Sequence, residues 1–274
     1  MTIVDGTLGL GGHALAILEK LGPHGKLIGF DRDPRALAEA KKDLERFGDH
    51  VMIVNDNFTN IAKQLERLKE GPVQGILLDL GVSSMQLDSP ERGFSFRQEG
   101  PLDMRMDPKD PLTAEEIVNA YSKEALITIL SELGEERFAK RIAGRILEAR
   151  SQRKIRTTSE LENIIFHAVP RSYRHGRIHP ATRSFQSLRL AVNKELEALR
   201  EFLSGALDVL APQGRVVIIS FHSLEDRLVK NAFKEFQMKK MGSVLTKKPI
   251  TPSPEEVGDN HRSRSAKLRA FQKG

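Results

Sequence analysis

The sequence has no cysteine, no tryptophan, two tyrosines, and only 5% aromatic residues in all. Without cysteine there can be no disulfide, no thiol nucleophile and no zinc site of the Cys type. No apolar run approaches the ~18 residues that a membrane-spanning helix needs, and no secretory leader pattern precedes the first apolar segment, so the expected compartment is the cytoplasm. The eight histidines show no ligand-type spacing with acids, and no metal site is expected. Internal repeats and long low-complexity segments are also missing. With so few rings, any nucleic-acid partner should be held by charge more than by stacking, and hence with a steep salt dependence.

A chain of 274 residues can bury a sizeable core as one large domain or as a core with an insertion. The formal charge is +6, unevenly placed. Residues 137–189 hold 13 Lys/Arg against 3 acids and residues 227–274 hold 12 against 4, while the remainder is acidic. Such blocks are often only solvated faces, but two of them on an otherwise acidic chain fit a polyanion such as nucleic acid.

The organising stretch comes almost first. Ile3-Val4-Asp5 is an apolar run ending in a carboxylate; Gly6, Gly9, Gly11 and Gly12 follow, and Ala14 to Leu18 then repeats apolar residues at helical spacing. This is the strand, tight turn and helix of a nucleotide-binding βα unit, although a plain Gly-rich connector has the same look. Lys26 to Asp31 is a second apolar run ending in an acid, ~20 residues past the glycines, where such folds accept ribose hydroxyls. Gly9-Leu10-Gly11-Gly12-His13-Ala14 satisfies the dinucleotide pattern, so NAD has to be considered. Against it, Asp5 at the first strand end would repel a pyrophosphate. S-adenosylmethionine, with no phosphate and two cationic groups, suits a carboxylate better.

Further along, Pro34–Phe47 reads as a helix with Leu37, Ala40, Lys41 and Leu44 on one face. Val51–Val54 is a third strand, ending at Asn57 and at Phe58, which either meets an adenine or simply packs in the core. A helix over 61–68 precedes Ile76–Leu80, an apolar fourth strand of the kind buried on both faces. Alternation of strands and helices predicts a doubly wound sheet with ligands at the carboxyl strand ends, where Asp5, Asp31, Asn57 and Asp79 all fall. After Asp79 comes a long polar loop, of the kind that tends to be functional. Helical patterns follow over Ala114–Ala120, Lys123–Leu133, Glu136–Ser151 and Thr158–Ala168, which read as an inserted all-helical domain. The core resumes with a long helix over Asn193–Leu210, a turn at Pro212-Gln213-Gly214, a fifth strand over Arg215–His222, and a helix capped by Ser223. Asn260–Arg269 is a basic tail. The domain divisions are placed at 1–105, 106–189 and 190–274.

The motifs Asp5-Gly6-Thr7 with Gly9-x-Gly11-Gly12-His13, Leu78-Asp79-Leu80-Gly81-Val82-Ser83-Ser84-x-Gln86-Leu87, Arg92-Gly93-Phe94-Ser95-Phe96, Pro101 to Asp107, Ala181-Thr182-Arg183-x-Phe185-Gln186, Ser220 to Arg227 and Arg264 to Arg269 resemble those of the ribosomal RNA small subunit methyltransferase H family, also called MraW. The resemblance implies an α/β, class I S-adenosylmethionine-dependent methyltransferase core (Rossmann-like, doubly wound) interrupted by a helical domain. It implies methyl transfer to N4 of one cytidine in the decoding region of bacterial 16S rRNA in the small ribosomal subunit; a homodimer is compatible with it. Members usually begin with some twenty residues more, including a His-x-Pro-Val pattern, whereas this sequence starts inside the first strand. It is therefore expected to be less stable, and to bind its cofactor more weakly, than a version extended at that end.

Carried over residue by residue, the cofactor contacts fall on Gly11, Gly12, His13, Asp31, Phe58, Asp79 and Gln86. His13, near a helix N-terminus, is expected to be neutral. Methylating C5 of a pyrimidine commonly needs a cysteine nucleophile; with none here, attack by the exocyclic amine itself is the route left open. The loop after the fourth strand lacks the prolines of the DNA amino-methyltransferase motif, so the group that accepts from N4–H is inferred to be Asp103, with Ser84 as helper. The competing reading makes Asp103 a salt-bridge partner of Arg105 or an organiser of the loop. Arg171, Arg174, Arg177, Arg183, Arg262, Arg264, Lys267 and Arg269 are the candidate RNA-phosphate contacts. A DNA cytosine-N4 enzyme and a non-catalytic RNA-binding factor are the rival functions; the intact glycine loop with Asp31 and Asp79 argues against the second.

Overall fold

In a computed structural model, residues 1–176 and 178–274 are described; the candidate RNA contact Arg177 lies outside the described residues. Thr2–Asp5 (β1), Lys26–Asp31 (β2), Val51–Asn55 (β3), Val73–Asp79 (β4) and Leu210–Ser220 (β5) pair in parallel in the order β3-β2-β1-β4-β5. Gly242–Val244 (β6) and Lys267–Lys273 (β7) complete seven strands, with β7 antiparallel to both β5 and β6. Parallel strands need crossover helices, and the runs between them supply these. The order reverses between β1 and β4, and their carboxyl ends, at Asp5 and Asp79, mark the crevice where such sheets bind ligands.

Gly12–Leu18 (α1) follows the glycine turn. Pro34–Leu44 (α2) starts at Asp33, whose carboxylate accepts the Arg35 N–H at 3.0 Å, with proline at the first helical position. Its buried face is Ala36, Leu37, Ala40 and Leu44, and Lys41 is exposed, because a Lys headgroup is too costly to bury unpaired. Ile61–Arg67 (α3) buries Ile61 and Leu65.

The chain divides into two compact units, Met1–Gly81 with Leu196–Gly274, and Val82–Glu195. These divisions differ from the expected ones at 105 and 189, and the loop after β4 explains why. Phe94, Leu102, Met104 and Met106 are buried in the same apolar cluster as Ile117, Leu126, Ile142 and Leu161 of the helices. The Asn193 amide ties the loop further, donating to Met104 O at 2.7 Å and accepting from Met106 N–H at 2.8 Å. This second unit consists of Ser84–Asp88 (α4), Ala114–Ala120 (α5), Lys123–Thr128 (α6), Ala139–Gln152 (α7), Thr158–Ala168 (α8), Arg171–Arg174 (α9) and Ala181–Asn193 (α10). A π-helical turn over Ile129–Leu133 extends α6, and a Thr157/Glu160 capping box opens α8.

The expected long helix over Asn193–Leu210 is shorter at both ends, and an additional helix, α10, precedes it. α10 ends at Lys194, which takes the left-handed conformation with φ 50°, and Glu195–Gly205 (α11) starts afresh. Ser223–Met238 (α12) is capped by His222 rather than Ser223: the Glu225 N–H donates to His222 Nδ1 while Glu225 accepts from the His222 N–H. Pro254–Asp259 (α13) precedes a 3-10 turn over His261–Ser265. The expected basic tail is therefore largely structured, and β7 lies inside the sheet. Its Phe271 is fully buried with Phe233 of α12.

Candidate active site

The first unit gathers most of the expected site at the carboxyl ends of β1, β2 and β4. β1 runs straight into the glycine loop, which is fixed by Gly6 N–H donating to Leu77 O (2.8 Å) and Leu8 N–H donating to Phe30 O (2.7 Å). Gly11, with φ 86°, forms the turn into α1, a conformation that side chains rarely tolerate. A Cβ on Gly12 would meet no atom within 4 Å, so open space adjoins the loop there.

Three carboxylates converge on this loop. Asp31, at the end of β2, accepts from the Gly9 N–H at 2.8 Å through one oxygen and from the Asp33 N–H at 2.9 Å through the other. Burial raises its pKa, partly offset by those two donors. The Asp79 N–H donates to Thr7 Oγ1 at 2.6 Å, and Asp79 Oδ2 lies 3.4 Å from His13 Nε2. Asp5 is 1% exposed; it accepts from the Thr7 N–H at 3.1 Å, and burial pushes its pKa from 3.8 up to about 6. Asp5 Oδ2 and Asp79 Oδ1 are buried with no hydrogen-bond partner among the described residues. Buried carboxylate oxygens without donors are costly, and a cationic ligand would relieve both, whereas a phosphate would add to the repulsion. The donor set thus fits S-adenosylmethionine and does not fit a dinucleotide.

At His13, expected to be neutral, the hydrogen bond that the ring donates to the Asp79 carboxylate raises the pKa, against the lowering effect of burial. Phe58 stands beside the glycine loop, its Cβ 3.2 Å from where a Gly6 side chain would begin, and its ring meets Phe202 edge-on at 5.8 Å. It does pack in the core, half-buried.

Gln86, Ser84 and Asp103 belong to the second unit. Gln86 is buried and closes a capping box with Ser83, accepting from the Ser83 N–H at 3.0 Å while its own N–H donates to Ser83 Oγ; Ser84 is exposed in the first turn of α4. Asp103 is gripped by Arg105, whose Nε and Nη2 donate to its two oxygens at 2.9 and 2.7 Å. Burial works to raise the Asp103 pKa, but the Arg105 side chain, backbone N–H and charge together hold it below the usual carboxylate range. The salt-bridge reading of Asp103 is therefore what the geometry contains. Arg105 also donates to Pro108 O and Asp110 O, and Arg92 donates to Arg105 O and Met106 O. Met104 takes φ 62° in the middle of this clasp, a strained setting for a buried side chain.

The basic candidates separate. Arg269 is 7% exposed and paired with Asp226 at 2.6 Å, and Lys267 approaches the same carboxylate at 3.4 Å. Arg269 is therefore a sheet-to-helix tie rather than a phosphate contact, because its guanidinium is enclosed with its counter-charge. Arg262 and Arg264 are exposed. Arg183 donates to Glu135 O at 2.8 Å, and Arg174 donates to Val169 O and His167 O. Asp5, read from the sequence as a strand-end carboxylate suited to a cationic ligand, is where that reading put it, and Thr7, which holds both Asp5 and the Asp79 N–H, is the neighbour that the sequence reading did not single out.

With the geometry in view, the sequence profile described as the MraW methylase family matches residues 1–274. The chain belongs to the MraW methylase family. Relatives named ribosomal RNA small subunit methyltransferase H include one from Heliobacterium mobile, 50% identical over 286 residues, covering 98% of this chain and 92% of its own. Another, from Synechococcus elongatus, is 51% identical over 270 residues, covering 98% and 87%. Among solved structures, a putative rRNA-methylase from Clostridium thermocellum covers all of this MraW chain and 88% of its own with a TM-score of 0.43 at 15% identity, too loose a likeness to argue from.

Proposed function

We propose that this protein transfers the methyl group of S-adenosylmethionine to N4 of a cytidine in the decoding region of bacterial 16S rRNA, acting on the small ribosomal subunit. Family membership supports methyl transfer, and the names of the relatives support a small-subunit rRNA substrate. The observation that carries the cofactor reading is the pair of buried, unpartnered carboxylate oxygens on Asp5 and Asp79 at neighbouring strand ends. A ribosomal substrate puts the activity in the cytoplasm; among the described residues no helix is long and apolar enough to cross a membrane.

S-adenosylmethionine, when bound, supplies a methyl group made electrophilic by its sulfonium. The chain's own residues bind and orient. Asp31 has lone pairs left over from its two backbone donors to accept from ribose hydroxyls, Phe58 can lie against the adenine, and the positive φ of Gly11 with the open space beside Gly12 lets the backbone approach the ligand closely. Asp79, steadied by His13 and Thr7, faces the cationic part of the ligand together with Asp5. Gln86 is assigned to the same ligand by its place in the family motif.

Methylation at C5 of a pyrimidine commonly needs a cysteine nucleophile, which this chain lacks, and at N4 the substrate amine is itself the nucleophile. What the protein must do is accept a hydrogen bond from N4–H, draw the nitrogen lone pair out of conjugation with the ring, and hold it in line with the methyl group. Asp103 is the proposed acceptor and Ser84 its helper. A carboxylate held ionised by Arg105 accepts such a bond without keeping the proton, which suits a positioning role better than that of a strong base.

The test is transfer of labelled methyl from S-adenosylmethionine to small subunits from a strain lacking this gene, followed by nucleoside analysis of the rRNA. Label in N4-methylcytidine at one decoding-region site is expected. Label in another nucleoside, or none while S-adenosylhomocysteine still binds, would overturn the substrate assignment.

A further inference from the structure

The second unit concentrates what the composition makes scarce. The His179 ring stacks on Phe96 at 4.8 Å and 27° and on Phe166 at 6.0 Å and 23°. The Arg174 guanidinium lies over the same Phe166 ring at 5.3 Å, and the rings of His167 and His175 meet it edge-on at 5.4 and 6.2 Å. The grouping is held from below. His179 Nδ1 accepts the Ala181 N–H at 3.2 Å, leaving its Nε2 toward Glu162 at 3.4 Å, and Arg174 is fixed by two backbone carbonyls. Its outer members are open to solvent: His167, Arg171 and His175 are exposed, and the neighbouring Ile178 is 51% exposed.

The setting is strongly cationic, with three acids against 13 Lys/Arg over residues 137–189. All three of those acids are taken up locally, Glu148 by Arg145, Glu160 by Arg153 and Glu162 by His179. Planar groups with open faces and edges, backed by guanidinium and set among uncompensated positive charge, match unstacked bases on a polyanionic strand. A protein partner would ask for a larger apolar patch, and a duplex offers no free base faces to stack.

We propose that His167, His175 and Arg174, built on the Phe166–His179 stack, form a base-stacking platform for single-stranded RNA on the helical unit. This deepens the rRNA reading above and rests on it: charge supplies the attraction, and the platform selects RNA whose bases are unpaired. Binding therefore has a stacking component that the low aromatic content does not suggest.

The test uses the full chain at pH 8, with fluorescence anisotropy on three probes: a single-stranded oligocytidine RNA, an abasic oligomer of the same length, and an RNA duplex. The variants are the double substitution His167→Ala with His175→Ala, and Arg174→Lys, which keeps the charge while losing the planar group. Alanine substitution of a stacking side chain costs about 1–3 kcal/mol per base, so the double variant should bind the single strand at least about 10-fold more weakly, with Arg174→Lys showing a smaller loss in the same direction. Affinity for the abasic oligomer, the slope of affinity against salt, and S-adenosylhomocysteine binding should all stay unchanged. Equal losses on the base-bearing and abasic probes, or none on either, would overturn the platform; a preference for the duplex would do the same. Failure of the rRNA assignment is read separately: the nucleoside analysis can come out negative while stacking-dependent binding persists, and the reverse.

Discussion

Replacing Asp5 by asparagine should stabilise the ligand-free protein while disabling it. Asp5 sits at the end of β1 with one oxygen bonded to the Thr7 N–H and the other buried without a partner. Its pKa is raised by burial from 3.8 to about 6. The folded state therefore binds the proton more tightly than the unfolded chain does. Stability from this group is complete below about pH 4, declines as the pH rises through 6, and is lost above that. A rise of about two pKa units corresponds to ~3 kcal/mol. An asparagine keeps an oxygen for Thr7 and has no charge to desolvate, so its stability should be flat across this window. In thermal melts between pH 5 and 8 without ligand, the wild-type midpoint should fall with pH and the variant's should not. At pH 7.5 the variant should melt higher by roughly 6–12 °C, at ~2–4 °C per kcal/mol for chains of this size. With saturating S-adenosylmethionine the order should reverse, because a cationic ligand gains from an ionised Asp5 and binding stabilises only the protein that binds. Wild-type binding should accordingly tighten as the pH rises through 6. Melting curves for wild type and variant that track each other from pH 5 to 8 would refute the argument, as would equal ligand-induced shifts.

Three further outcomes follow from the same geometry. Asp103→Asn should slow methyl transfer by ~10²-fold, the scale of losing one positioned hydrogen-bonding group, with cofactor affinity unchanged in calorimetry; near-normal turnover in a folded variant would remove Asp103 from the reaction. Gly93→Ala should destabilise the helical unit by more than ~1 kcal/mol, because Gly93 has φ 69° and a Cβ there would fall on the Pro101 carbonyl; an unchanged denaturation midpoint would contradict this. Lys194→Gly should do the opposite, relieving a left-handed lysine between α10 and α11 and raising the midpoint by the equivalent of ~0.5–1 kcal/mol.

What the sequence made legible is what local pattern encodes. Apolar runs ending in acids gave β1, β2 and β4, and the glycines between Asp5 and His13 gave the ligand loop, since φ and strand burial leave marks on the residues themselves. Pairings across long separations left none. Arg269 reads as a surface cation until Asp226, 43 residues away, is seen to enclose it. The upward pull on the His13 pKa is likewise invisible until Asp79, at the end of β4, is brought to 3.4 Å. The helix α10 before Lys194 was not read from the sequence, and only a backbone angle at that lysine separates it from α11. Likewise the loop after β4 looks like part of the sheet domain because it is polar; only the burial of Phe94, Leu102, Met104 and Met106 shows which core it completes.

The placement of β7 sets an order on how this chain can come together. The helical unit is one uninterrupted stretch, Val82–Glu195, whereas the sheet unit draws on residues from both sides of it. Lys267–Lys273 is not an edge strand: it lies between β5 and β6, and its Arg269 and Phe271 secure α12. During synthesis the helical unit can close as soon as it leaves the ribosome, but the sheet stays open along β5 until these seven residues arrive. A chain halted some ten residues short would hold a finished helical unit on a sheet with an exposed strand edge, a species prone to aggregate rather than a slightly shortened enzyme.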